Sequence, residues 1–413
     1  MTGRGNALGS AIDTILQRSV AATPGLPGAA VAVTDRTGPV VQAGAGVRVI
    51  GGDEAFDVDT VCALFSATKA ITATACLSLV DDGELDLDAP ASDYLPVLGE
   101  LEVLESLGDG DTPVTRPPKR PVTTRHLLLH TAGFGYPMFN TTQRKLVGSL
   151  GLAAEPDNSD RGGDPATLAP LLFDPGDRWE YGTGIDWAGR IAERISGQRL
   201  GRLMADRIFE PLGMDSTGFR LDKTMAPRVA LVHHRTDDGG LEAGDLGGVP
   251  DPARHAGGHG LFSTAADYAR FIRMWLNDGA GPDGAVIRPG TAAMAFADGL
   301  GTPAGGPSAE VHPLPGVLPA LTLDADFFPG LPKGWGLSFL LNNADAPTGR
   351  PAGSAGWAGM ANLFYWIDRR TGIGGIFATQ LLPFFDPTAF ETFLRVEGAV
   401  YQNMNNRNPS EQS

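Results

Sequence analysis

The sequence predicts an α/β fold: a mainly antiparallel sheet flanked by helices, a mostly helical lobe inserted into it, and a cleft between the two. Three observations predict it. Strand-like apolar runs cluster near both chain ends, a helix-forming segment closes each end, and the long middle holds helical periodicity and loops. The sheet lobe is read as residues 1–82 with 281–413, and the helical lobe as 83–280. At 413 residues, 42% hydrophobic and 19% charged, the chain is long enough for two such lobes. Their junction is the expected place for a site.

In chain order, Leu8 to Arg18 reads as a helix, and Ala29 to Asp35 with Val40 to Ala43 as a strand pair. Ala70 to Val80 is apolar, without Gly or Pro, and reads as a buried helix. Arg125 to His130, Gly184 to Ile195, Leu200 to Phe209 and Ala265 to Leu276 supply the helices of the middle. Trp335 to Leu341, Ala361 to Asp368 and Ile373 to Leu382 read as strands, with Arg369-Arg-Thr-Gly372 as a hairpin turn and a closing helix from about Pro387 to Tyr401. Ser106 to Pro121, Ala153 to Pro170 and Gly279 to Pro332 are rich in Gly, Pro and charge and read as long loops, the last long enough either to hold short elements or to wall the cleft.

Chemistry enters at Ser66 and Lys69. Positions i and i+3 share a helix face, so a hydroxyl on the first turn and an amine one turn later can touch. The serine also gains the dipole and unbonded N–H groups of a helix start. Of the five lysines, Lys69 alone has a serine three residues before it. The bland alternative is an N-cap serine with a snorkelling lysine, but the stretch from Val61 to Val80 holds no other charge, so Lys69 would be buried without a partner in sequence. A buried amine beside a hydroxyl is suited to be a base.

A second element is Asp174-Pro-Gly-Asp-Arg-Trp-Glu-Tyr181-Gly-Thr-Gly184. A tyrosine beside glycine on a tight loop ahead of a helix can be aimed into the cleft and pass a proton between the serine and a leaving group. The alternative is a loop tyrosine packed on Trp179. A third is Gly353-Ser-Ala-Gly-Trp-Ala-Gly-Met360, read as a glycine-rich approach to a strand whose N–H can donate to an oxyanion, or simply as a turn.

Charge excludes other classes. A formal charge of −16 disfavours nucleic acid and anionic membrane as partners, and small neutral substrates fit better. The N-terminus has no apolar leader and no later run resembles a membrane span, so a cytoplasmic location is expected. Cys62 and Cys76 read as small core residues. His126 with His130, His233 with His234, and His255 with His259 lack the Glu of His-Glu-x-x-His, so packed or capping histidines are expected, with no metal, cofactor or nucleotide. Ala352-Gly-Ser-Ala-Gly356 carries alanine where the nucleophile elbow of an alpha/beta-hydrolase needs its first glycine.

Six motifs then carry a resemblance: Ser66-Ala-Thr-Lys69, Leu127-Leu-Leu-His-Thr-Ala-Gly-Phe134, Asp174 to Tyr181, Phe209-Glu-Pro-Leu-Gly-Met-Asp-Ser-Thr-Gly-Phe219, Gly258-His-Gly-Leu-Phe-Ser-Thr-Ala-Ala-Asp-Tyr268 and Trp357-Ala-Gly359. In this order the chain resembles the serine beta-lactamase-like superfamily, and more closely its class C-like family VIII carboxylesterases and their acyltransferase relatives of the lovastatin-synthase type. The resemblance implies a beta-lactamase/DD-peptidase-like fold. It implies Ser66 as the acylated nucleophile, Lys69 and Tyr181 as the pair that removes and returns its proton, and an oxyanion hole from the N–H groups of Ser66 and Met360. Trp357, Ala358 and Gly359 would line the substrate site. Where class C beta-lactamases carry Tyr-x-Asn and Lys-Thr-Gly, this chain has Tyr181-Gly-Thr183 and Trp357-Ala-Gly359. The missing lysine removes a cation for a beta-lactam carboxylate, and tryptophan offers an apolar wall suited to neutral esters. The expectation is a serine carboxylesterase for small-molecule esters. An acyltransferase, a beta-lactamase or DD-peptidase, and a non-catalytic relative are the alternatives.

Overall fold

The computed structural model describes residues 3–152, 169–248, 251–301 and 310–405. A seven-stranded antiparallel sheet is built from both chain ends: β1 (Gly28–Asp35), β2 (Pro39–Gly46), β3 (Lys333–Trp335), β4 (Leu340–Asn342), β5 (Ala355–Gly359), β6 (Leu363–Asp368) and β7 (Ile373–Ala378). They lie in the order β3-β4-β5-β6-β7-β1-β2. The N-terminal strand β1 pairs with the C-terminal β7, Val31 facing Phe377, so the two chain ends form one sheet across which the middle of the chain is inserted.

The longest described helices are α1 (Gly3–Ala21), α2 (Thr68–Asp81), α3 (Gly184–Ser196), α4 (Ala265–Leu276) and α5 (Pro387–Asn405). β6 and β7 are buried along their whole length because helices cover both faces. Neighbouring residues of β6 point opposite ways. Phe364 meets Phe393 of α5 (5.1 Å between ring centroids), and Tyr365 meets Tyr268 of α4 (5.1 Å). α2 is buried from Thr68 to Leu79 and packs on α3, which explains the absence of charge other than Lys69 over that stretch.

The structure amends the sequence reading in five places. α4, assigned to the helical lobe, packs on β1, β6 and β7, with Tyr268, Phe271, Ile272 and Trp275 buried against the sheet side, so the lobe boundary at 280 falls too late. Trp335 to Leu341 is two short strands, because Ser338 has a positive φ of 70° and the Leu337 and Ser338 amides turn to the carbonyls of Ala295 and Leu128. The loop read over Ser106 to Pro121 begins as a hairpin of Val103–Leu107 with Pro113–Arg116. Leu200 to Phe209 continues from an α-helix over Leu200–Met204 into a π-helix over Ala205–Phe209. The Gly353 to Met360 segment is itself a strand, β5. Most of the loop read over Ala153 to Pro170 lies outside the described residues.

Candidate active site

The chain reaches Ser66 under tight control. Ala63 exchanges two hydrogen bonds with the Gln380 side chain (3.0 and 3.2 Å), and the Leu64 amide donates to the Leu261 carbonyl (2.8 Å). Phe65 then takes a positive φ of 46°, a costly conformation for a bulky residue that persists only where its surroundings impose it. The turn Phe65–Ala67 leads into α2, with the Tyr268 hydroxyl donating to the Ala67 carbonyl (3.0 Å). Ser66 is thereby presented at the start of a buried helix and half-buried itself.

Lys69 is 1% exposed, yet its Nζ has three partners: Ser66 Oγ at 3.1 Å, Tyr136 Oη at 3.0 Å and the Gly258 carbonyl at 2.9 Å. Gly258 is fixed in turn, its amide donating to Asp186 Oδ1 (2.7 Å) while the Thr72 hydroxyl donates to the neighbouring Gly257 carbonyl (2.6 Å). Gly257 has no room for a side chain, since a Cβ would stand 2.4 Å from the Ile185 carbonyl. A segment between α2 and α3 thus supplies the carbonyl that satisfies the lysine. Such full pairing is what makes a buried amine tolerable.

Tyr181 reaches the same place from the helical lobe. Its loop is seated by His130, whose carbonyl accepts from the Glu180 amide (2.9 Å) and whose Nδ1 accepts from the Gly182 amide (3.3 Å). Burial first, and the nearby Lys69 charge second, hold His130 well below the usual histidine range, so its imidazole is neutral. At Gly182 a Cβ would lie 2.2 Å from the Phe134 carbonyl, so glycine alone lets the loop press onto the Phe134-Gly135 backbone and bring Tyr181 beside Tyr136. The ring centroids of both tyrosines lie 5.0 Å from Lys69 Nζ. The Tyr181 hydroxyl accepts from Trp357 Nε1 (3.0 Å), and its ring stacks on Trp179 at 6.5 Å, so it both borders the cleft and packs on that tryptophan.

Ser66, Tyr136, Tyr181 and Met360 share one cavity of about 580 Å³, a size suited to a small organic ligand. Its lining is mixed: Phe65, Met138, Phe139 and Phe219 are apolar, while Asp186, Arg190, Glu193 and Arg254 are charged. β4 pairs with β5 only at Ala355 and Gly356, which leaves the Trp357 to Gly359 edge free to run past the serine turn. A Cβ on Gly359 would meet the Leu64 carbonyl at 2.3 Å, so this glycine permits the approach that puts Met360 in the cavity beside Ser66. Ala358 is buried in the strand. Trp357 corrects the expectation of an apolar substrate wall: it is buried behind Tyr181, 4.7 Å from Trp335, and steadies the tyrosine through its indole N–H.

Tyr136 is the residue the sequence reading missed. It lies between Gly135 and Pro137, two residues after a recognised motif, and shows the same glycine-flanked loop signature that singled out Tyr181. The cysteines are buried and free, Cys76 being pushed up to about 12 by burial.

A family model described as beta-lactamase matches residues 13–398. The chain belongs to the beta-lactamase family. Within that family it is similar to the lovastatin esterase of Penicillium rubens, 34% identical over 89% of this chain and 92% of the relative. It is also similar to the acyltransferase calJ of Penicillium decumbens, 32% identical over 82% and 80% of the two chains. Unliganded simvastatin synthase from Aspergillus terreus superposes with a TM-score of 0.81 at 27% identity, over 97% of this chain and 98% of that one. A family VIII carboxylesterase shares the beta-lactamase fold, with a TM-score of 0.64 at 20% identity over 95% of this chain and 97% of its own. No described helix is long and apolar enough to cross a membrane.

Proposed function

We propose that the protein is a serine carboxylesterase that cleaves short- to medium-chain esters of small molecules through an acyl-enzyme on Ser66. The observation that carries the reading is Ser66 Oγ, which lines the cavity, held 3.1 Å from a buried, fully partnered lysine. Lys69 takes the serine proton as Oγ attacks the ester carbonyl. The oxyanion forms on the N–H groups of Ser66 and Met360, and the alcohol leaves with a proton from Lys69 or Tyr181. Water then releases the acid. Phe65, Met138 and Phe139 supply apolar surface for the acyl chain.

Acyl transfer to an alcohol is the second reading, favoured by the similarity to relatives named as acyltransferases and by a cavity large enough for an acceptor besides the acyl group. Turnover of beta-lactams is expected to be weak, because tryptophan stands at 357 where a lysine would hold the carboxylate. The test is a rate series on p-nitrophenyl esters from acetate to dodecanoate, with and without an alcohol acceptor, beside a chromogenic cephalosporin. Ser66-dependent ester cleavage with little lactam turnover supports the reading. Dominant lactam turnover overturns it, and product partitioning with the alcohol selects between hydrolysis and transfer.

A further inference from the structure

Lys69 Nζ has three partners at 2.9 to 3.1 Å, and their chemistry is not equivalent. The Gly258 carbonyl can only accept. The hydroxyls of Ser66 and Tyr136 can each accept or donate. A neutral amine has two N–H bonds and one lone pair. If Tyr136 accepts, the two N–H bonds point to Gly258 and Tyr136 and the lone pair faces the Ser66 O–H. If Tyr136 instead donated into the lone pair, Lys69 could not take the serine proton.

Resting on the Ser66 acyl-enzyme reading, we infer that Tyr136 is a positioning residue that aims the Lys69 lone pair at Ser66 and takes a hydrogen bond from the ammonium formed there. The proton balance is simple. The Ser66 O–H bond breaks as Oγ bonds the acyl carbon, its proton joins Lys69 Nζ, and the ammonium then donates to Gly258, Tyr136 and the serine oxygen. All three partners are already in place, so the site serves both protonation states without moving a side chain. The Tyr181 hydroxyl accepts from Trp357 and presents its ring face to the lysine, which leaves Tyr136 as the phenol joined to Lys69. The titratable groups facing Lys69 are Tyr136, Tyr181 and His130, with Asp186 acting behind Gly258.

The experiment measures labelling of Ser66 by an alkyl fluorophosphonate, which needs only an activated serine, together with p-nitrophenyl ester kinetics across pH. Tyr136→Phe leaves one N–H of a buried ammonium without an acceptor. The labelling rate and kcat/KM are expected to fall roughly 10- to 100-fold, as for loss of a hydrogen bond to a buried charged group, with KM little changed and the acid limb of the pH profile moved to lower pH. Tyr136→Gln, which restores an oxygen acceptor, should recover part of the rate and is the second variant should the phenylalanine fold poorly. Tyr181→Phe should leave the acid limb in place. Wild-type labelling that is lost in Ser66→Ala yet unchanged, in rate and pH profile, by both Tyr136 variants overturns this inference alone. A wild type whose Ser66 takes no label overturns both it and the function proposed above.

Discussion

At the residue scale, the site is a set of side chains whose value lies in their joint placement. Removing Ser66 or Lys69 should each cost about a thousandfold or more in kcat/KM, and the double variant should be no worse than the poorer single one, because nucleophile and base act as one unit. Additive losses, read from ester kinetics of Ser66→Ala, Lys69→Ala and the pair, would show that the two act separately. The closeness of Ser66, Lys69 and Tyr181 follows from features that the sequence displays, helix periodicity for the first two and a glycine-flanked loop for the third. That of Tyr136 does not. Its partner Lys69 is 67 residues away, and only the seating of Gly182 on the Phe134-Gly135 backbone brings its loop to the lysine. The setting of Trp357 is not legible in the sequence, because no sequence pattern tells whether an indole faces a ligand or another aromatic ring.

At the element scale, two glycines separate packing from propensity. Gly182→Ala places a methyl against the Phe134 carbonyl and should destabilise the protein by about 1–3 kcal/mol while displacing Tyr181 and lowering activity. Gly148→Ala, on the exposed side of the helix Thr141–Ser149 with nothing within 4 Å of the added carbon, should stabilise by about 0.5–1 kcal/mol and leave activity unchanged. Thermal melting with parallel ester assays checks both. The long helices and the strands at the chain ends were legible because their apolar periodicity is strong. The break within Trp335 to Leu341 has no sequence signal because it depends on Ser338 taking a positive φ and on helical carbonyls of Leu128 and Ala295 distant in sequence. The free edge of β5 was likewise invisible, since it depends on β4 pairing with only two of its residues.

At the scale of the whole molecule, four histidines accept backbone N–H groups, His126 within its own helix start and the other three from segments distant in sequence. His126 accepts from Thr123 (3.2 Å), His130 from Gly182 (3.3 Å), His233 from Ile50 (3.0 Å) and His255 from Gly201 (3.0 Å). Each is held below the usual range mainly by burial, His126 and His255 at about 4. An unfolded chain protonates these rings near pH 6.5, whereas the folded one resists until lower pH, so between those values the unfolded state binds more protons. Stability should therefore be full above about pH 6.5 and fall progressively toward pH 4. A melting temperature that is flat or rises from pH 7 to 5 would contradict the roles given to these rings. Their structural use was anticipated from the absence of a metal-binding pattern, but their amide partners lie up to 183 residues away and could not be read. The two-lobed plan was legible, while the membership of α4 in the sheet lobe became evident only from its contacts with β1, β6 and β7.

The proposed function requires a covalent acyl-enzyme on Ser66, and the direct measurement is rapid-quench mass spectrometry of the protein mixed with p-nitrophenyl butyrate, followed by peptide mapping. One butyryl adduct is expected on the peptide containing Ser66, formed as p-nitrophenol is released and absent from Ser66→Ala. An adduct mapped to Tyr136, Tyr181 or either cysteine, or turnover that persists in Ser66→Ala, would contradict it.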